Sequence, residues 1–209
     1  MQLETRRIEG WVVNIHSGFS PEEQAAFKQA MDLLTAQLKT IRKKVPVRPL
    51  KELQKVPIWI SPRYPNIQER AEYHPGAQWL KDNGRDPAMA KAVEITNVRI
   101  FELETRRMPL FVLHELAHAY HDQVLTNDDP RLLAAYEHAR KSGVYDNVLR
   151  RDGKGNERRE RAYAMTNVQE YFAEGTEGFF GANDFYPFTR AELQKHDPEL
   201  YALLVQIWR

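Results

Sequence analysis

Residues 109–121 run Pro109-Leu110-Phe111-Val112-Leu113-His114-Glu115-Leu116-Ala117-His118-Ala119-Tyr120-His121. Pro109 suits the opening of a helix, because its fixed backbone angle is already helical. The apolar residues that follow predict a helix from Leu110 to about Leu125. They cover most of its circumference, which is the pattern of a helix buried in a core. Two imidazoles and a carboxylate on such a helix are costly unless a partner compensates them. Residues four apart lie on one face, one turn from each other. His114 and His118 therefore aim two ring nitrogens at one point, and Glu115 projects near the same edge.

That spacing is the His-Glu-x-x-His pattern, in which two neutral imidazoles hold a zinc ion and the glutamate reaches a water at the metal. It arises by chance in roughly one chain of this length in a few hundred. The alternative, two satisfied core histidines beside a surface glutamate, leaves the spacing unexplained. The reading is therefore His114 and His118 as ligands and Glu115 as general base. His121 lies seven residues after His114, on nearly the same face. The metzincin pattern needs a histidine six residues past the second ligand, where Val124 stands. His121 is expected to line the cleft or to hydrogen-bond.

A zinc site needs a further protein ligand. Thr166-Asn167-Val168-Gln169 has the form of a capping box opening a helix to about Phe180. Glu170 and Glu174 share a face of that helix among Tyr171, Phe172 and Ala173, where solvated carboxylates are out of place. One would ligate zinc and the other would hold His114 or His118 through its second ring nitrogen. Glu170 is the preferred ligand and Glu174 the preferred support. Tyr163 stands seven residues before Glu170 and has a rival reading as a strand residue packed on the core.

His114-Glu-x-x-His118 followed by Glu170-x-x-x-Glu174 resembles the gluzincin arrangement, in which a glutamate on a second helix completes the site. Thermolysin follows that logic. The Tyr163-to-Glu170 spacing is closer to the anthrax lethal factor catalytic domain and the Mlc titration factor peptidases. The resemblance implies zinc ligands His114, His118 and Glu170, base Glu115, and Tyr163 stabilising the transition state. It also implies a zincin-like fold: a small mixed sheet, an active-site helix, and a mainly helical C-terminal lobe. The likeness is confined to residues 114–118 and 163–174. The long separation of His118 from Glu170 departs from thermolysin.

Around these helices, Ile8 to Ile15 reads as a strand. Ser20-Pro21-Glu22-Glu23 opens a helix to about Lys43 that Pro46 and Pro49 end, with Phe19 placed to staple onto its first turn. Val56 to Ile60 reads as a short strand that Pro57 marks as an edge or a start. Ser61 to Gly84 reads as a long loop with one helical turn near Trp79, and Ala92 to Phe101 as a second full strand. By analogy with zincins, that second strand is expected to be the edge on which an extended peptide pairs. Pro130 to Lys141 is a helix. Val144 to Leu149 and Arg158 to Ala164 form a hairpin across Asp152 to Asn156. The aromatics of Gly181 to Tyr186 belong either to the cleft or to the core. Thr189-Arg190-Ala191-Glu192 repeats the capping signal, and Pro198-Glu199 starts a last helix ending in Ile207-Trp208. Strands mixed with helices, then mostly helices, define an α+β chain.

The 209 residues suit one domain, with lobes of about 1–125 and 126–209 sharing a cleft. A net charge of +1 provides no field for nucleic acid, and runs such as Arg42-Lys43-Lys44 and Arg158-Arg159 read as solvated faces. No apolar run is long enough to cross a bilayer. The first residues lack a signal-peptide core, as a mature form with its leader removed also would. With no cysteine, disulfides and thiolate-rich structural zinc sites are excluded. The sequence therefore predicts a one-zinc metallopeptidase acting on peptide or protein substrates. The competing reading is a zinc-binding regulatory or interaction module with little activity.

Overall fold

The computed structural model describes residues 3–209. The chain opens with a hairpin where a single strand was expected: β1 (Leu3–Ile8) and β2 (Trp11–His16) pair antiparallel. Glu9 and Gly10 take φ of 50° and 106°, the left-handed pair that reverses a chain in two residues. β2 buries Trp11, Val13 and Ile15, one face of the pleat. In α1 (Gln24–Lys44) the buried stripe is Met31, Leu34, Leu38 and Ile41. The Ser20 amide donates to the Glu23 side chain at 2.9 Å, so the expected cap closes a turn and the helix starts just beyond it. Phe19 packs on Phe27 at 4.7 Å. The prolines read as a stop flank a further helix, α2 (Val47–Leu53): Pro46 caps it and Pro49 sits in the first turn, where no amide is needed.

β3 (Ile58–Ile60), β4 (Ala71–His74) and β5 (Ala92–Ile95) complete a five-stranded sheet in the order β1-β2-β3-β5-β4. β2, β3 and β5 run parallel, with β1 and β4 antiparallel at the two edges. This decides one expectation and corrects two. β3 is interior, so Pro57 marks its start. The segment read as a long loop with one helical turn near Trp79 has that turn, as the helix α3 (Ala77–Asp82), and also contains the strand β4. The strand expected over 92–101 stops at Ile95. Its continuation is a 3-10 turn at Val98–Ile100 and the helix α4 (Phe101–Arg107). β5 has neighbours on both sides, so the free edge beside the site is β4.

One buried cation fixes β4. The Arg85 guanidinium reaches Glu72 of β4 and, at 2.9 Å, Glu94 of β5. It lies 4.8 Å from the Tyr64 ring and 5.0 Å from that of Trp79. Glu94 also accepts from Tyr64 at 2.7 Å and pairs with His74 at 2.9 Å. The buried charge is offset by these two carboxylates and two ring faces, although the Arg85 Nε itself has no hydrogen-bond partner.

The chain then becomes helical. α5 (Phe111–Tyr120) ends in one π-helical turn, His121–Leu125, and α6 (Pro130–Ser142) follows under an Asp129 cap. The hairpin β6 (Val148–Arg151) and β7 (Glu157–Glu160) is shorter than expected at its outer ends. Tyr163 leaves it and sits in a 3-10 turn, Tyr163–Met165, not in a strand. α7 (Val168–Phe180) is capped by Asn167, one residue after the expected Thr166. α8 (Arg190–His196) carries the expected Thr189/Glu192 capping box, and α9 (Pro198–Ile207) closes the chain. α5 packs against α7 and touches β4 and β5. The result is α+β, a small mixed sheet followed by helices. Among the described residues no helix is long and apolar enough to cross a membrane.

Candidate metal centre

α5 presents His114 and His118 one turn apart, with their Nε2 atoms 3.1 Å from each other and their rings at 80°. α7 brings a carboxylate to the same point from 56 residues further on: Glu170 Oε2 lies 3.1 Å from His114 Nε2 and 3.3 Å from His118 Nε2. Glu170 is held there because Asn167 Oδ1 accepts its amide at 2.8 Å, which fixes the first turn of α7. A tetrahedral zinc with bonds of about 2.0–2.1 Å sets its ligand atoms roughly 3.3 Å apart. The three donors therefore already stand at the separations such an ion requires, and imidazole and carboxylate are donors that zinc accepts.

The electrostatics agree. Burial pushes the Glu170 carboxyl up, yet the imidazoles of His114 and His118 outweigh it and hold the group well below its usual range. Burial pulls His114 down, and the carboxylates of Glu170 and Glu177 more than reverse it. Both shifts describe a point where positive charge is favoured.

His114 turns its other nitrogen, Nδ1, to Glu177 Oε2 at 3.2 Å. Glu174 Oε1 is 3.8 Å from the same nitrogen, beyond hydrogen-bond reach, and Glu174 accepts instead from Asn183 at 2.9 Å. Burial and the neighbouring Glu177 push Glu174 up to about 8. Glu177 is the residue that the sequence reading missed. Its signal was present: it lies seven residues after Glu170, on the face that carries Glu170 and Glu174.

Glu115 lies beside the three donors and accepts the main-chain amide of Tyr73, on β4, at 2.9 Å. Burial raises its carboxyl. The Tyr163 hydroxyl, on a half-exposed side chain, donates to Glu170 Oε1 at 3.2 Å. Burial and the Glu170 charge push it up to about 12, so it remains a proton-bearing donor. His114, Glu115, His118, Tyr163 and Glu170 line a cleft of about 860 Å³. Phe185 lines the cleft with Met108 and Phe111, whereas Tyr186 is partly buried against the core.

His121 is neither a cleft residue nor a hydrogen-bonding one. It is fully buried, edge-on to Phe172 at 5.5 Å, and neither ring nitrogen has a partner. The π-helical turn accompanies its inward placement while Asp122 faces the cleft. A second ligand-like cluster, Glu72, His74 and Glu94, is held by the Arg85 guanidinium. A cation side chain already supplies its positive charge. Comparison with family models, with curated proteins and with solved structures found no significant match to this chain.

Proposed function

We propose that this chain is a zinc metallopeptidase of the gluzincin type, with a zincin-like arrangement of sheet and active-site helix. The observation that carries the reading is the convergence of His114, His118 and Glu170 at 3.1–3.3 Å, with Glu115 alongside. A zinc ion held by these three residues would supply Lewis acidity, activating water and polarising a carbonyl at neutral pH.

The rest falls to the chain's own groups. Glu115, with Oε2 fixed by the Tyr73 amide, takes a proton from the attacking water and passes it to the leaving nitrogen. Its raised proton affinity, due to burial, suits a group that must accept and return a proton. Tyr163 turns its hydroxyl from Glu170 to the developing oxyanion, a charge that a preoriented donor stabilises more than it stabilises the ground state. β4 replaces the strand expected over 92–101 as the edge on which an extended peptide pairs. In an antiparallel ladder alternate residues face the free side. Ala71 and Tyr73 therefore offer their main-chain groups to substrate, apart from the Tyr73 amide already engaged.

A purely zinc-binding module needs neither a positioned base nor a hydroxyl beside the ligands, so the peptidase reading is preferred. The test is zinc content together with hydrolysis of a mixed peptide library, with and without chelator. One zinc per chain and chelator-sensitive cleavage that Glu115→Gln lowers by about 10³-fold are expected. Full zinc with no cleavage by the parent would favour the binding module.

A further inference from the structure

Followed against the chain direction, β4 leads out of the cleft at Gln68 and Glu69, and these two residues with Ile100 also line a second hollow. That hollow has a volume of about 630 Å³, and Arg63, Tyr64, Pro65 and Ile67 form its far wall. The two spaces adjoin, sharing these lining residues, with the exposed apolar side chain of Ile100 common to both. A peptide added antiparallel to β4 runs toward the hollow with its C-terminal part. From Tyr73, beside the base, to Gln68 is five residue steps, on the order of 16 Å of extended chain.

The hollow also has a charge. Glu69 is bound by Arg99, Nε to Oε1 at 2.8 Å, and the two cancel. Arg63 is exposed and makes no ion pair among the described residues. We propose that this hollow is a binding site for the C-terminal flank of an extended polypeptide substrate, selecting acidic side chains through Arg63. The proposal rests on the peptidase reading for its substrate class. It makes the enzyme one that needs residues well beyond the scissile bond, with Ile100 supporting the chain as it passes from cleft to hollow.

The test fixes register with a zinc-binding group. Fluorescent peptides carrying an N-terminal hydroxamate are titrated against the zinc-loaded full chain: a two-residue probe, and probes of about six residues ending in glutamates or in lysines. The glutamate-tailed probe is expected to bind about fivefold more tightly than the lysine-tailed one at low salt, the scale of one exposed charge pair. The preference should fade as salt shortens the screening length. Arg63→Glu should reverse it and leave zinc content and the two-residue probe unchanged. Tails that bind alike while the short probe binds normally would overturn the proposal and leave the peptidase reading standing. A tail preference without turnover of any peptide would sink the peptidase reading and keep the hollow. If no probe binds, both fall.

Discussion

His114 hands its second ring nitrogen to Glu177 and not to the nearer-in-sequence Glu174: 3.2 Å against 3.8 Å. The bond sets the ring orientation and places the proton on Nδ1, so that Nε2 keeps its lone pair for a metal. Glu177→Gln should therefore weaken zinc binding by about 10–100-fold, the usual scale for such supports. Glu174→Gln should cost clearly less. Competition with a chromophoric chelator measures both, and equal losses would mean that the two acids support the ring together.

Glu115→Gln should lower turnover by about 10³-fold, within the range for a lost general base, and keep the metal. Zinc analysis beside peptide hydrolysis reads the two effects separately. A variant that turns over like its parent would remove Glu115 from the mechanism.

Tyr163→Phe removes one donor and no ligand. Turnover should fall by about 100-fold, near the 3 kcal/mol of a lost oxyanion donor, with KM changing much less than kcat. A loss confined to KM would make Tyr163 a substrate-binding residue and nothing more.

Because its ligands come from α5 and α7, the ion would join two helices that are distant in sequence. A ligand held at 1,000 times its Kd stabilises the folded state by about 4 kcal/mol, which for a chain of this size raises Tm by about 10 °C. Chelation should lower Tm by that order and zinc should restore it, as differential scanning fluorimetry would read. No shift on adding zinc to the stripped chain would argue against the site.

His121 should make stability fall in acid. Burial lowers it to about 4 from 6.5, so the folded chain keeps it neutral while the unfolded chain binds a proton more readily. Its contribution is whole above about pH 6.5 and drains away as pH falls toward 4. At pH 4.5 the loss is about 3 kcal/mol. His121→Leu should be spared it, and at pH 7 should equal or exceed the parent, since two buried nitrogens without partners are removed. Guanidinium unfolding of both zinc-free chains at pH 7 and pH 4.5 gives the comparison.

The candidate metal centre was the most legible part of the sequence, because helical spacing translates directly into shared faces. The 3.6-residue period and a capping signal were enough to name His114 and His118 and to narrow the third donor to Glu170 or Glu174, with Glu170 preferred. The sheet was harder to read. Ala71-Glu72-Tyr73-His74 alternates over only four residues, in a stretch broken by Pro62, Pro65 and Pro75, and its place is set by the distant Arg85. Ala92 to Phe101 is β-rich throughout, yet its second half is helical, a tertiary outcome that local preference does not contain. Glu9-Gly10 carried a hairpin signal hidden inside an apolar run. Glu177 shares the helix face of Glu170 and Glu174, but which inner acid meets Nδ1 depends on the approach of α7 to α5, which spacing alone does not record.

The grip on Glu115 comes from a peptide bond, and that changes what genetics can see. Any amino acid except proline at position 73 supplies the same N–H. An alanine scan would register the lost side-chain contacts of Tyr73 with Asp122, Gln123 and the core, and pass over the amide. Position 73 can therefore drift in identity while its role persists. Among ordinary substitutions, proline alone would expose it.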